Sequence, residues 1–177
     1  MKRAAVALGI ALMAISPMGL EAQGGGNSPI QLALVAPVQL VGADRSITGL
    51  RLNLIYGVNT SVVGLDVGLV NRNTAGVSKG LQYGIVNLVE ADFTGWQDGG
   101  VNITRGAFEG LQSGAVNSAG SGRGLQWGVV NISDSFNGLQ LGLVNYAENM
   151  HGLQIGLVNI IKQNGAFPVF PIVNWSF

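Results

Sequence analysis

The octapeptide Gly138-Leu-Gln-Leu-Gly-Leu-Val-Asn145 decides the fold, because copies of it recur along most of the chain. Most copies keep the pattern Gly-Leu-Gln-x-Gly-x-Val-Asn, and their leading glycines are 14–16 residues apart. A fixed period predicts a repeat fold in which each copy is one structural unit. The copies begin at Gly49, Gly64, Gly80, Gly95, Gly110, Gly124, Gly138 and Gly152. Structural roles are predicted for Gly80, Gln82, Gly84, Asn87, Gly138, Gln140, Gly142, Asn145, Gly152, Gln154, Gly156 and Asn159.

The N-terminal residues have the layout of a secretory signal peptide. Lys2 and Arg3 precede an apolar run at residues 4–15, and Ala22 is a plausible cleavage point. The run is too short to cross a membrane as a helix. We therefore predict a signal peptide at 1–22, a flexible linker at 23–29 and a single β-repeat domain at 30–177.

Composition narrows the possible functions. The chain has no cysteine, no net charge and 10% charged residues, whereas a typical soluble domain has about 25%. Without a basic excess, nucleic acid is not an expected partner. The 28 glycines and 47% hydrophobic residues are unusual for a secreted protein that moves freely in solution.

Side chains alternate within each copy, which is typical of β-strands. In the octapeptide above, alternation places the three leucines and Asn145 on one face, and Gln140, Gly142 and Val144 on the other. The first face is large and mostly apolar, and the second is small. A helix would need apolar residues three and four positions apart, and the glycines would weaken it.

Two all-β architectures fit these strands. Short polar clusters, such as residues 119–122 and 147–149, separate the strands and are shorter than the crossover that a parallel pair needs. The preferred fold is therefore an up-and-down antiparallel meander of about ten short strands, closed into an outer-membrane-like β-barrel. The alternative is a β-solenoid with one 14–16-residue repeat per coil, in which Gln and Asn side chains stack as ladders.

The register is compatible with both architectures, and the C-terminal segment favours the barrel. An odd-length hairpin loop at 147–151 keeps the apolar face continuous, because it pairs Asn145 with Leu153, Leu143 with Ile155 and Leu141 with Leu157. The last strand ends on the terminal Phe177, a signal typical of bacterial outer-membrane barrels. Large side chains would then face lipid. Against the barrel, the same face carries Asp98, Gly100, Ser113 and Ala115.

The repeated motif and the closing Phe170-Pro-Ile-Val-Asn-Trp-Ser-Phe177 together resemble a known family. This is the Leptospira-type family of bacterial surface-repeat proteins, and the resemblance covers residues 38–177. It implies export and a location at the cell surface or outer membrane. The family has no catalytic residues to transfer, so the resemblance gives no residue a role.

Few residues suggest chemistry. His151 is the only histidine, so a metal site built from nitrogen and sulfur ligands is not expected. Ser133, Asp134 and Ser135 could form a triad only with His151, and no nucleophile-elbow motif surrounds them. The sequence therefore predicts no catalytic, cofactor-binding or metal-binding residue and no cofactor.

One charged pair stands out, because Arg51 and Asp66 both occupy the Gln position of neighbouring copies. If the copies lie in register, the two side chains form an inward ion pair on the small face. Removing one partner should then destabilise the protein more than removing both.

The sequence thus predicts a non-enzymatic bacterial outer-membrane or cell-surface β-repeat protein with a structural role. Its expected partner is outer-membrane lipid, and the sequence does not identify a protein or glycan partner. The alternative function is a secreted β-solenoid that serves as a binding or adhesion scaffold.

Overall fold

The computed structural model describes residues 27–177, which form a β-solenoid of about nine turns. Its strands are β1 (Ser28–Val35), β2 (Val38–Gln39), β3 (Ile47–Asn59), β4 (Val62–Asn73), β5 (Val77–Val89), β6 (Asp92–Leu141), β7 (Val144–Gln163) and β8 (Val169–Ser176). The predicted β-strands and repeats are therefore confirmed. The predicted signal peptide lies outside the described residues, and β1 begins within the predicted linker.

Neighbouring coils pair in parallel, so the predicted antiparallel barrel is wrong and the solenoid alternative fits. Strands β1, β3, β4, β5, β6 and β7 pair in this order, all in parallel. Antiparallel pairs occur only at the ends of the described sheet, where β2 joins β1 and β8 joins β7. Gly138 lies opposite Gly152, and Leu141 lies opposite Ile155 instead of Leu157. Each repeat therefore meets the next copy in register.

The short polar clusters are corners of the coil instead of hairpin turns. Residues 104–107 and 119–122 lie inside β6, whose 50 residues run through several coils. After each repeat the chain has advanced by one strand spacing, about 4.8 Å. A parallel pair in a flat sheet needs a long crossover, but in a solenoid the rest of the coil is the crossover. Short connections therefore do not exclude parallel pairing in this chain.

Four columns of inward side chains fill the solenoid. The first two are the Gln and Asn positions of the repeat, which are buried in successive coils. The third lies two residues after the Asn and includes Val89, Thr104, Ala119, Ser133, Ala147 and Ile161. The fourth lies two residues before the leading glycine and includes Ile47, Val62, Ser78, Phe93, Phe108, Phe136 and Met150. The last two columns supply the hydrophobic clusters of the core.

The predicted alternation of side chains along each strand was wrong for two kinds of residue. Asn145 is fully buried together with Gln140, although it was expected on the face of the leucines. The chain bends at Gly142 and Leu143, which shifts the alternation by one residue before Asn145. Ala147 was expected in a polar connection at 147–149, but it is fully buried because the corners also contribute to the core.

The two glycines of each repeat let the backbones of neighbouring coils come into direct contact. Gly138 has a φ of 140°, and a Cβ atom there would collide with the carbonyl oxygen of Gly124 in the preceding coil. At Gly142, a Cβ atom would lie 2.7 Å from the carbonyl oxygen of Gly128. The first position of the repeat therefore requires glycine because of its positive φ. The second requires glycine because a Cβ atom would not fit against the preceding coil.

Candidate functional site

The buried Gln column is a hydrogen-bonded ladder with one direction. Gln154 Nε2 donates to Gln140 Oε1, and Gln140 Nε2 donates to Gln126 Oε1, both at 2.7 Å. The rungs through Gln112, Gln97 and Gln82 continue the same way at 2.7–2.8 Å. A buried polar group without a partner costs about 1–3 kcal/mol, so the ladder holds the coils in register.

The buried Asn column forms a second ladder that runs in the opposite direction. Asn145 Nδ2 donates to Asn159 Oδ1 in the following coil at 2.8 Å and to the carbonyl oxygen of Ile155 at 2.9 Å. The rungs that begin at Asn71, Asn87, Asn102, Asn117 and Asn131 repeat this double contact. Because the two columns donate in opposite directions, their amide dipoles oppose each other along the axis.

The structure brings Arg51 and Asp66 together at the N-terminal end of the Gln ladder. Arg51 Nε and Nη2 each donate to one Asp66 carboxylate oxygen at 2.6 Å, and both side chains are buried. Gln82 Nε2 donates to Asp66 Oδ2 at 2.8 Å. Asp66 is thus the last acceptor of the ladder, and Arg51 neutralises its charge.

The C-terminal end of the Gln ladder is built differently. Gln154 Oε1 is buried and has no hydrogen-bond partner among the described residues, while Asn174 of β8 lies opposite Gln154. Phe177 follows β8 with 85% of its surface exposed, and its ring packs edge-on against His151. Phe177 was expected to end the last strand of a barrel; it instead follows β8, which pairs antiparallel with β7 at the end of the solenoid.

One side of the solenoid is mostly hydrocarbon, and we call this side the apolar face. It consists of the outward side chains one, three and five residues after each leading glycine, from Leu50 to Leu157. Trp127 is 64% exposed and Leu157 is 66% exposed. These are the large side chains that alternation grouped together, and they face outward from the solenoid.

A depression, which we call the polar notch, interrupts the apolar face in two neighbouring coils. Its outward positions hold Asp98, Gly100, Ser113 and Ala115, where other coils carry large apolar side chains. Trp96 Nε1–H donates to Ser113 Oγ at 3.0 Å, and the Ser113 hydroxyl donates to Asp98 Oδ1. The sequence showed these four residues as an obstacle to a barrel, but it did not reveal their hydrogen bonds.

Charged side chains on other sides of the solenoid form small networks. Glu90 accepts hydrogen bonds in ion pairs with Arg72 at 3.1 Å and Arg105 at 2.8 Å. A hydrogen bond with Tyr56, reinforced by Glu90, raises the pKa of the Arg72 guanidinium.

In the last full coil, the Tyr146 hydroxyl donates to Glu148 Oε2 at 2.8 Å, and Gln163 donates to Glu148 Oε1 at 3.0 Å. The bond from Tyr146, then that from Gln163, lowers the pKa of Glu148. The same bond to Glu148 raises the pKa of Tyr146. These hydrogen bonds and ion pairs join neighbouring side chains at the surface, so we assign them a structural role.

The residues considered for catalysis are separated by the fold. Ser133 is buried, and its hydroxyl donates to Gln126 Oε1 at 3.2 Å, whereas Asp134 and His151 are exposed. Among residues 27–177, no three His, Cys, Asp or Glu side chains are grouped to hold a metal ion. In the same part of the chain, no helix is long and apolar enough to cross a membrane.

Comparison of the chain with protein-family models, curated proteins and solved structures found no match. The resemblance to the Leptospira-type surface-repeat family therefore stays a prediction, as does the location that it implies.

Proposed function

We propose that this chain is an exported, non-enzymatic β-solenoid scaffold that binds the lipid of the bacterial outer membrane or cell surface. The apolar face carries this proposal. A monomer in solution rarely exposes a contiguous apolar patch larger than a few hundred Å2. With a coil spacing of about 4.8 Å, the apolar face is roughly 35 Å long in total, and the polar notch separates its two apolar parts.

The distribution of side chains fits a lipid partner. Tyr83, Trp96 and Trp127 are exposed on the apolar face, and rings of this kind favour the membrane interface. Ion pairs such as Arg72–Glu90 lie on other sides of the solenoid. A body with one apolar side and charged other sides adsorbs with the apolar side in the headgroup region.

The interior supports a scaffold role. The repeated amides use their donors and acceptors to join coil to coil, as Gln140 does between Gln126 and Gln154. A ladder of this kind makes a stiff support, since each coil is held to the next by backbone and side-chain bonds. On this support, the outward apolar side chains repeat from coil to coil, whereas no reactive group does.

Vesicle flotation of residues 23–177 tests the proposal, with vesicles of phosphatidylethanolamine and phosphatidylglycerol. Lysine at both Leu143 and Leu157 puts two charges on the apolar face, whose side chains there are 51% and 66% exposed. The matched control places lysine at Ser135 and Asn137, which are exposed outside that face. We expect the unmodified chain and the control to float with the vesicles and the Leu143→Lys/Leu157→Lys variant to remain behind.

Three results would contradict this expectation. The unmodified chain could fail to bind vesicles, or both double variants could bind equally well. Sedimentation velocity could also show a stable dimer that only the Leu143→Lys/Leu157→Lys variant dissociates. In that case the apolar face is covered by a second copy of the chain, and the lipid proposal is wrong.

A further inference from the structure

We infer that the polar notch is a binding site for an organic ammonium group, with Asp98 as its counter-ion. The inference goes beyond the proposed function, because a soluble ammonium compound should bind whether or not the apolar face contacts lipid.

The notch is a space left by small side chains. Gly100 and Ala115 occupy positions where flanking coils carry Ile85 and Val129. Two hollows of about 470 and 800 Å3 result, and Asp98 lines both of them. A ligand in either hollow would therefore lie beside the Asp98 carboxylate.

Hydrogen bonds fix the Asp98 carboxylate before any ligand arrives. The indole N–H of Trp96 donates to Ser113 Oγ, which directs the Ser113 hydroxyl proton to Asp98 Oδ1. The other carboxylate oxygen is left to accept a hydrogen bond or a charge contact from a ligand. A carboxylate held in this way loses little conformational entropy on binding.

The charge of Asp98 is unbalanced on its own face. Asp98 is the only charged residue among the outward positions that form the apolar face. In residues 27–177 the ion pairs involve Asp66 and Glu90, and none involves Asp98. A carboxylate that neighbouring side chains shield in part from water attracts a cation more strongly than a fully exposed one. The notch therefore favours a positively charged occupant.

The walls of the notch select an organic cation. Tyr83 precedes Asp98 by one coil and is 55% exposed, and Trp127 follows Asp98 by two coils and is 64% exposed. The faces of such rings attract ammonium groups, and alkyl substituents gain apolar contact with them. A sugar could stack on the same rings, but it would not need the charge of Asp98.

Titration of 15N-labelled residues 23–177 with choline tests the inference, with the indole N–H resonance of Trp96 as the reporter. The control ligand is 3,3-dimethylbutan-1-ol, which has the shape of choline without its charge. We expect choline to shift the Trp96 resonance in a saturable manner and the alcohol to bind at least about tenfold more weakly.

Matched variants measure how much the Asp98 carboxylate contributes to choline binding. Asp98→Asn should abolish the preference for choline over the alcohol. The control Glu109→Gln, which removes an exposed carboxylate outside the apolar face, should keep it. Trp127→Leu should weaken choline binding without affecting far-ultraviolet circular dichroism.

Equal binding of choline and the alcohol would overturn the inference, and so would unchanged choline binding by the Asp98→Asn variant. If Asp98→Asn leaves choline binding intact and makes the chain self-associate, Asp98 instead keeps apolar faces apart. Because choline titration needs no vesicles, its failure is distinguishable from failure of lipid binding.

Discussion

The two ends of the Gln ladder differ, because a charged pair satisfies one end and the other end keeps an unpaired oxygen. At the N-terminal end, Gln82 donates to the buried Asp66 carboxylate, whose charge Arg51 neutralises. At the C-terminal end, Gln154 keeps its donor bonded and leaves Oε1 without a partner among the described residues. A ladder in which every amide points the same way has one end that needs an acceptor and another that needs a donor. Here the fold supplies the acceptor and leaves the other end open.

The largest loss of stability is expected at the N-terminal end of the Gln ladder, where Arg51 and Asp66 are buried. Asp66→Asn leaves Arg51 buried without a carboxylate, which should lower the free energy of unfolding by about 3–5 kcal/mol. Chemical denaturation of residues 23–177 measures this loss. The double variant Arg51→Gln/Asp66→Gln replaces the ion pair with the ladder residue and should be more stable than the single variant. Equal stability of the single and double variants would show that the pair does not act as a unit.

Within the ladder, the cost of losing one amide should depend on its position. Gln140→Leu removes a donor to Gln126 and an acceptor for Gln154, so we expect a loss of about 2–4 kcal/mol. Gln154→Leu removes only the donor to Gln140 Oε1 within the ladder and should cost about 1–2 kcal/mol. Denaturation curves of the two variants check the order. A larger loss at Gln154 would refute the direction assigned to the ladder.

A smaller loss of stability is expected where the backbones of two coils touch at Gly142. A methyl group at Gly142 would press on the carbonyl oxygen of Gly128, which cannot move without disturbing the next coil. Gly142→Ala should therefore lower the free energy of unfolding by about 1–3 kcal/mol. Ser135→Ala, at an exposed corner, is the control and should leave stability unchanged. A Gly142→Ala variant as stable as this control would mean that the coils are farther apart.

The smallest effect is expected at the surface of the C-terminal coil. Hydrogen bonds from Tyr146 and Gln163 lower the pKa of Glu148. Their contribution to stability is thus present above the pKa of Glu148 in the unfolded chain and is lost as the pH falls through the lower folded value. Tyr146→Phe removes the larger cause, so the pKa of Glu148 should rise towards its ordinary value. An NMR titration that finds the pKa of Glu148 unchanged would contradict this assignment.

The repeat unit and its ladders could be predicted from the sequence, but the direction of strand pairing could not. The spacing of Gln140 and Gln154 aligns them in any in-register stack, which is why the solenoid alternative included amide ladders. A 14-residue period also permits a hairpin that pairs Leu141 with Leu157. Pairing direction depends on whether a corner bends or reverses the chain, and the polar residues at 147–149 are compatible with both.

The candidate site was only partly predictable. Alternation correctly grouped Tyr83, Trp127 and Leu157 on one face, because period two holds as far as the bend at each second glycine. Alternation could not say whether that face was inside or outside, since hydrocarbon favours burial in most folds. Two of the four inward columns are instead Gln and Asn. Their side-chain amides can be buried because each one bonds to the equivalent amide in the next coil.

Cross-linking of introduced cysteines tests the parallel solenoid most directly, because the chain has no cysteine of its own. Leu141 lies opposite Ile155, about 4.8 Å away as in any strand pair, whereas Leu157 lies diagonally beyond the roughly 7 Å limit for a disulfide. The solenoid predicts that Leu141→Cys/Ile155→Cys forms an intramolecular disulfide in the folded chain and that Leu141→Cys/Leu157→Cys does not. A disulfide in the second variant but not in the first would show antiparallel pairing and contradict the solenoid.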